Sequence, residues 1–284
     1  MRKRLRAFWR VLTFPFRCIG GTIRKVRDFL TLEVEDSSLA DSFQKASEHP
    51  SDILFHLNEF RKHLFRALGF LAVTTALSLT FTSQIIDFLA KPIGGIHSLQ
   101  AIDVTEPVGV FMRVSLLSGF TLSFPYIALE LWMFAAPGLH RNSRLFGLAA
   151  IPIATLFFAG GIAFTYFILM PSALPWLLSF MGMTTIPRPL SYIQFTTGLM
   201  FWIGAAFEFP LIIYVLARVG LIKAEVLAKQ WRLAVVVIAI VAAAITPTID
   251  PVNMSLVMGP MIVLYFLSIG LAKLAQRGRE KKGG

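Results

Sequence analysis

The chain has 284 residues, of which 56% are hydrophobic and 15% are charged, and its mean hydropathy is +0.69. Soluble domains carry about 25% charged residues, so the composition excludes an ordinary soluble protein and indicates a chain that crosses a membrane several times. The single cysteine, Cys18, excludes an intramolecular disulfide and a cysteine-based metal cluster.

The first segment is basic and amphipathic. Over residues 1–27, large apolar side chains fall on one helical stripe and arginines on the other, a pattern typical of a helix that lies on a membrane surface. A cleavable signal peptide is the alternative, but Arg10 and Arg17 interrupt its apolar core. Residues 28–52 are acidic and contain several serines, so we interpret them as a solvated linker.

Six apolar stretches follow, and they determine the predicted fold. The first four are long enough for the roughly 20 residues that a membrane-spanning helix needs. The fifth would extend only about 21 Å at 1.5 Å per residue, and Gly259 and Pro260 interrupt the sixth. We therefore predict an all-α membrane protein with six transmembrane helices, of which helices five and six are short. The stretches cover roughly residues 64–82, 111–135, 145–169, 195–217, 233–247 and 254–272.

A proline-rich turn, PTIDPVN, joins the fifth and sixth stretches. Pro247 and Pro251 prevent one continuous helix, because proline lacks the backbone N–H that a helix interior uses. Asp250 lies in this turn, and we interpret it as a turn residue rather than as a ligand. The pair of short helices is expected to thin the bilayer locally.

The basic residues predict an orientation. Of the 27 Lys and Arg residues, 24 lie on one side of the six stretches, which is the bias that cytoplasmic segments show. Both termini are therefore predicted to be cytoplasmic, and the net charge of +11 reflects the membrane rather than nucleic acid. The connections at about 83–110 and 170–194 lie on the opposite side and are predicted to form short helices that cap the bundle. The basic segments are 1–66, 136–144, 218–232 and 273–284.

A charged segment, HLNEFRKHLFR at 56–66, directly precedes the first apolar stretch. One interpretation is a membrane anchor in which Glu59 pairs with Lys62 at i,i+3 spacing. The other is a docking site in which Glu59 receives a cationic ligand at the membrane surface. His56 and His63 share a helical face at this spacing, and we interpret them as interfacial side chains rather than as metal ligands.

Two acids lie within the apolar stretches. Glu130 is predicted to lie about 10–15 Å below the cytoplasmic surface, and Glu208 lies near the middle of the fourth stretch. Pro210 leaves the carbonyl of Ala206 without its helical donor, so this turn needs a polar neighbour. Because isolated acids at bilayer depth are costly, they indicate function by default, and we predict a polar concavity. The alternative is a neutral Glu208 that is hydrogen-bonded inside a packed bundle.

These motifs together resemble the TatC family, the core subunit of the twin-arginine protein translocase. HLNEFRKHL is similar to the family's HLxELRxRL motif, and TEPVGVFMRVSLLSGFTLSFPYIALELWMFAAPGLH to its second span. AFEFP is similar to the intramembrane F-E-x-P, and ITPTIDPVNMSLVMGP to the TP-rich turn and sixth helix. The matches run in order and divide the chain into a cytoplasmic N-terminal extension at 1–52, a TatC-like transmembrane domain at 53–275 and a basic cytoplasmic tail at 276–284.

The resemblance implies a cupped bundle of six helices and a cytoplasmic site that reads the twin-arginine signal peptides of folded precursor proteins. Glu59 would be the principal acid for the arginine pair, with Arg61 and His63 in the same motif. Glu208 would be the membrane-embedded acid on the concave face.

The chain departs from the family after the second span. The family reads P-x-L-Y-x-x-E-R there and uses its Glu to hold the signal, whereas this chain reads PGLHRNSR. His140 replaces the Tyr and Ser143 replaces the Glu, while Arg144 is retained. Glu130, where the family carries Gln or Glu, is the other acid that would supply the missing charge, although it is predicted to lie deeper.

The predicted function is a receptor and scaffold of the twin-arginine translocase, without enzymatic activity, cofactor or metal. The implied partners are twin-arginine signal peptides, single-span TatA/TatB-type subunits, further copies of the chain and membrane lipids, with no nucleic acid. Export would be driven by the proton motive force across a prokaryotic cytoplasmic membrane.

Two other function classes were compared with this prediction. A proton- or ion-coupled small-molecule transporter would use Glu130 and Glu208 as a relay, but it predicts inverted repeats, and the sequence lacks convincing self-similarity. An intramembrane hydrolase needs a nucleophile with an adjacent base, and the five histidines lie outside the apolar stretches.

Overall fold

The computed structural model describes residues 50–136, 141–179, 185–246 and 251–283, which form α-helices joined by short connections. The N-terminal extension that was predicted at 1–52 therefore lies almost entirely outside the described residues. The helices are α1 (Pro50–Ser78), α2 (Thr82–Ala90), α3 (Glu106–Ala135), α4 (Arg141–Phe164), α5 (Met170–Leu178), α6 (Pro189–Phe207), α7 (Phe209–Val219), α8 (Ala224–Lys229), α9 (Trp231–Ile245) and α10 (Pro251–Gly283).

The helices occupy all six of the predicted apolar stretches. Four helical segments are long and apolar enough to cross a membrane, and α1 with α2 forms a fifth candidate that is bent by 75° between His56–Ser78 and Thr82–Ile93. Helix α9 is apolar but has only 15 residues, or about 22 Å of helix. The all-α, multi-pass membrane fold is thus confirmed. The four long segments are Glu106–Ala135, Gly147–Leu178, Pro189–Val219 and Met254–Gly278.

Helix α10 corrects one expectation, because the sixth helix is not short. It runs without interruption for 33 residues through Gly259 and Pro260. Proline inside a helix costs about 3 kcal/mol, and here the packing of α10 against α7 and α9 offsets that cost. Val257 and Ala272, which are 1% and 0% exposed, lie on the packed face. Of the predicted pair, only α9 is short.

The chain divides into two compact units, which are described separately. The smaller unit combines Met1–Phe70 with Tyr126–Ala149. In it, the rings of Phe70 and Tyr126 stack with centroids 4.4 Å apart and join α1 to α3. A Cβ atom on Gly147 would lie 1.9 Å from the Trp132 ring, so glycine permits the close contact of α4 with α3.

The larger unit combines Leu71–Pro125 with Ala150–Gly284. Its apolar core is built from α2, α3, α5 and α6, and Met170, Ile193 and Ile203 are fully buried. A π-helical segment, Thr165–Leu169, joins α4 directly to α5, so the third span continues into what was predicted as a separate cap helix.

Helices α4 and α6 cross at a pair of glycines in the larger unit. A Cβ atom on Gly161 would lie 2.7 Å from the Cα atom of Gly204, and a Cβ atom on Gly204 would lie 2.8 Å from the ring of Phe158. Small residues that let two backbones touch are typical of packed membrane helices. This crossing positions the turn that follows Gly204.

The first predicted cap connection, at about 83–110, forms the expected short helix, α2. The hydroxyl of Tyr166 donates to the carbonyl of Phe88 at 2.8 Å, and the hydroxyl of Tyr192 donates to the carbonyl of Leu89 at 2.6 Å. These two bonds reach carbonyls at the C-terminal end of α2, where the carbonyl of Phe88 also accepts the backbone N–H of Lys91.

An ion pair connects the two cap connections to each other. The guanidinium of Arg188 donates to Oε1 of Glu106 through Nε, at 2.8 Å, and through Nη2. Glu106 is 1% exposed, whereas Arg188 is half exposed. The backbone N–H of Gln100 also donates to the carbonyl of Pro187 at 3.4 Å, so the two connections are joined at two points.

Candidate functional site

The charged segment at 56–66 lies entirely within α1, and one of its faces packs against α3. His56 stacks on Phe134 with ring centroids 4.5 Å apart, and the ring of Phe60 lies 5.0 Å from the same ring. The centroid of His63 lies 6.4 Å from it. The prediction that the two histidines share a face is confirmed, and that face is covered by an aromatic side chain of the neighbouring helix.

The acid Glu130 joins the same face, a contact that the sequence did not reveal. Its Oε2 lies 2.5 Å from Nδ1 of His63 and 3.9 Å from Nη1 of Arg66. Its Oε1 accepts a hydrogen bond from the hydroxyl of Tyr126 at 2.6 Å. Glu130 is 1% exposed, so it forms a buried, fully occupied acid centre beneath the charged segment.

Glu59 lies at the flank of this packed face and is half-buried. In the part of the chain that the structure describes, its carboxylate takes part in no ion pair, so the predicted anchoring pair with Lys62 is not formed. Arg61 is exposed on another side of α1, where its guanidinium lies 5.9 Å from the centre of the Phe65 ring. Among the described residues, the segment therefore presents one carboxylate without a counter-ion.

Ser143 and Arg144 lie in the first turns of α4, but their side chains fall outside the described residues, as does His140 altogether. Pro247 and Asp250, of the predicted turn between helices five and six, also lie outside the described residues. Their positions relative to Glu59 remain predictions.

Glu208 lies at a break in the fourth span, in the larger unit. Helix α6 ends at Phe207 and α7 begins at Phe209, and the backbone N–H of Glu208 donates to the carbonyl of Ala205 at 3.1 Å, a three-residue spacing. Pro210, which has no N–H to donate, is buried in the first turn of α7. The predicted irregular turn is thus present.

The carboxyl group of Glu208 is buried but only partly satisfied. Glu208 is 9% exposed, and its Oε1 has no hydrogen-bond partner in the described ranges. The other carboxyl oxygen, Oε2, is not among the buried atoms that lack a partner. An unsatisfied buried oxygen costs about 1–3 kcal/mol, so the position of this carboxyl group is energetically costly.

An apolar cavity of about 400 Å³ lies next to this break, also within the larger unit. Its walls come from the end of α6 and from α7, α9 and α10, and Gln230 is the polar residue at its edge. The lining includes Ala205, Phe209, Val237 and Tyr265. Helices of three different spans thus leave a concave surface next to the break, but this surface is apolar and Glu208 is not among its lining residues, so it is not the polar concavity that was predicted.

Comparison with known proteins finds similar chains in one family. The family model for the Sec-independent protein translocase protein (TatC) matches residues 55–260. The chain is 33% identical over 228 residues to the Sec-independent protein translocase protein TatC of Deinococcus radiodurans, and the match covers 77% of this chain and 84% of the relative. The protein of the same name from Synechocystis sp. is 34% identical over 235 residues, covering 80% of this chain and 91% of the relative.

A solved structure is also similar over most of the chain. It is described as the crystal structure of the twin arginine translocase receptor TatC, and it superposes with a TM-score of 0.70 at 30% sequence identity. The match covers 78% of this chain and 99% of the solved chain.

Proposed function

The chain belongs to the TatC family of Sec-independent protein translocase proteins, and from that premise we propose that it is the receptor that binds twin-arginine signal peptides of folded precursor proteins. As a family member it is a multi-pass membrane subunit for protein transport, and a small-molecule transporter is not favoured. The receptor and scaffold roles need binding chemistry only, so we propose no catalytic activity.

The observation that carries the proposal is the carboxylate of Glu59, which has no counter-ion among the described residues. Arginine binds carboxylates through two parallel N–H donors, which makes a free carboxylate at a membrane surface a specific arginine site. Glu59 is half-buried at the flank of a face that is fixed to α3, which lowers the entropy that binding must overcome. We place Arg61, Ser143 and Arg144 beside Glu59 in the proposed site, with Ser143 where the family has Glu, and we place His63, which is bonded to Glu130, next to the site and not in contact with the peptide.

The membrane and the remaining partners belong to the same proposal. The distribution of basic residues supports a prokaryotic cytoplasmic membrane with both termini in the cytoplasm and the cap connections outside. A cysteine introduced at Thr185, in a Cys18→Ser background, would react with an impermeant thiol reagent in intact cells; protection there would contradict this orientation.

The apolar cavity beside Glu208 supports contact with single-span TatA/TatB-type subunits. We further propose that the receptor complex holds several copies and that the proton motive force drives export.

A pair of signal peptides tests the receptor function. A photo-crosslinkable twin-arginine peptide and its twin-lysine counterpart would be added to membranes that contain the chain. Because lysine cannot form the bidentate contact, the twin-lysine peptide is expected to crosslink about ten-fold less, which corresponds to roughly 1.4 kcal/mol. Equal crosslinking of the two peptides would show that the chain does not read the arginine pair.

The acid that the family carries at position 143 can be restored. Ser143→Glu is expected to strengthen binding of the twin-arginine peptide about two- to five-fold, as an added exposed ion pair of up to ~1 kcal/mol would. The gain should be largest at low salt, where screening is weakest. Ser143→Gln is the matched control, since it adds bulk without charge. If Ser143→Glu binds no better than Ser143→Gln, another group already serves the second arginine.

Glu208 is expected to act after the signal peptide has first bound. About 16 Å of helix axis separate Glu208 from Val219, the end of α7, so a hydrated arginine pair does not reach it on arrival. Glu208→Ala should leave peptide crosslinking within about two-fold and lower precursor export about ten-fold. Glu208→Gln should be milder, because the amide keeps a hydrogen-bonding group. Loss of the first crosslink in Glu208→Ala would reverse the assigned roles.

A further inference from the structure

Glu130 and Glu59 share one possible partner, and the receptor proposal makes no use of this. His63 is the residue that both acids can reach. It is bonded to Glu130 through Nδ1 at 2.5 Å, and it follows Glu59 by four residues on α1. An acid four residues before a basic side chain is the favourable spacing for an ion pair on a helix surface.

Glu59 and Glu130 could each bind His63, and in the structure His63 binds Glu130. His63 is 16% exposed and lies between Phe134 and the Glu130 carboxylate, whereas the Glu59 carboxylate takes no ion pair within the described ranges. Glu130 is 1% exposed and bound on both oxygens, so its hydrogen bond with His63 is in a drier setting than the surface contact with Glu59 would be. Interactions between charged groups strengthen as water is excluded.

The same geometry argues against Glu130 as a direct ligand of the signal arginines. An incoming guanidinium would have to displace Tyr126 from Oε1, or His63 and Arg66 from Oε2. It would also have to lose its water in a site that is closed to solvent, and that desolvation costs several kcal/mol per ion. Glu130 therefore does not replace the family acid that is missing at Ser143.

We propose that Glu130 is a positioning residue that retains His63, and that it thereby keeps the carboxylate of Glu59 free for the arginines of the signal peptide. This inference rests on the proposed receptor function. Without Glu130, His63 turns to Glu59 at the i,i+4 spacing and competes with the ligand. Arg66, which also approaches Glu130, lies seven residues after Glu59 and is held by the same carboxylate.

The test compares affinities for the twin-arginine peptide among variants of the full-length chain in membranes. Glu130→Ala is expected to weaken binding up to about five-fold, the upper end for an exposed ion pair that now competes with the ligand. Glu130→Gln should stay within about two-fold of the native chain, because its amide oxygen can accept one of the two bonds, and its NH2 group can donate at the other position to the Tyr126 hydroxyl or to an unprotonated Nδ1 of His63. Asp87→Asn, which removes an exposed acid on α2, is the control for a loss of negative charge.

The decisive variant combines Glu130→Ala with His63→Gln. If His63 competes for Glu59, its removal restores affinity to within about two-fold of the native chain. A merely structural role for Glu130 predicts that the double variant binds as weakly as Glu130→Ala or more weakly, and this result would overturn the proposal. A loss in Glu130→Gln as large as in Glu130→Ala would also overturn it, since that pattern indicates direct contact with the peptide.

A second pair of variants keeps the test decisive if Glu130→Ala does not accumulate in membranes. His63→Arg alone should bind the peptide as the native chain does, because Glu130 retains the arginine as it retains the histidine. His63→Arg combined with Glu130→Gln should bind about five-fold more weakly, because a neutral amide cannot hold the introduced guanidinium away from the Glu59 carboxylate. Additive effects of the two substitutions would contradict the proposal.

These results separate the inference from the receptor function itself. If the twin-arginine and twin-lysine peptides crosslink equally to the native chain, the receptor proposal fails. If the native chain distinguishes the two peptides but His63→Gln does not restore the Glu130→Ala variant, the receptor proposal stands and only the retention of His63 is wrong.

Discussion

Glu59→Ala is expected to lower crosslinking of a twin-arginine signal peptide at least about ten-fold, and precursor export should fall with it. The physical reason is that, among the described residues, the Glu59 carboxylate in the charged segment of α1 has no counter-ion. A hydrogen bond to a charged group contributes roughly 1.5–3 kcal/mol, and 1.4 kcal/mol corresponds to a factor of about ten. The measurement pairs crosslinking with export in the same membranes.

Two control variants test whether the loss of crosslinking is specific to the Glu59 carboxylate. Glu59→Gln retains the volume and one acceptor oxygen but not the charge. Its crosslinking to the peptide should therefore lie between that of the native chain and that of Glu59→Ala. Asp87→Asn removes an exposed acid from α2 and should leave crosslinking unchanged. If Glu59→Ala bound the peptide normally, the arginine pair would be recognised elsewhere on the chain.

Gly161→Ala is expected to have the largest effect on stability. Its new Cβ atom would lie 2.7 Å from the Cα of Gly204 and 3.0 Å from the carbonyl oxygen of Ile203, so the backbones of α4 and α6 must move apart. Overpacking costs about 1–3 kcal/mol, and a contact with rigid backbone belongs at the upper end. The apparent Tm in detergent should fall by roughly 5–10 °C.

The adjacent glycine provides a matched control. A Cβ atom on Gly160 would meet nothing within 4 Å, so Gly160→Ala should leave the Tm unchanged or raise it slightly. Because Glu208 lies one turn beyond Gly204, Gly161→Ala should also impair export at temperatures where the chain remains folded. Equal Tm values for the two variants would mean that α4 and α6 can separate without cost.

The positions of the helices could be predicted because the bilayer imposes a local rule. About 20 consecutive apolar residues are needed for each span, and this length can be counted along the sequence. The irregular turn at Glu208 was predictable for a similar reason, since Pro210 removes a donor at a known distance along the chain. The family motif at 56–66 also pointed to Glu59 before any contact was known.

Two features could not be predicted, because each depends on contacts between distant residues. Helix α10 continues through Pro260 because α7 and α9 pack against it, and local helix propensity contains no information about that packing. The pair of His63 and Glu130 joins residues that are 67 positions apart. Counting turns along the helix predicted how far Glu130 lies below the cytoplasmic surface, but it did not predict which residue Glu130 contacts there.

The ion pair between Glu106 and Arg188 has a consequence for biosynthesis. In the proposed orientation, Arg188 is one of the few basic residues that must be carried across the membrane while the chain is being made. Glu106 precedes it by 82 residues and reaches the far side first, so an acceptor is already present when Arg188 arrives. Once the pair has formed, moving the guanidinium back would leave the buried Glu106 carboxylate without its counter-ion, which costs about 3–5 kcal/mol. The pair is therefore expected to oppose reversal of insertion, and it can form only after the third span has carried Arg188 across the membrane.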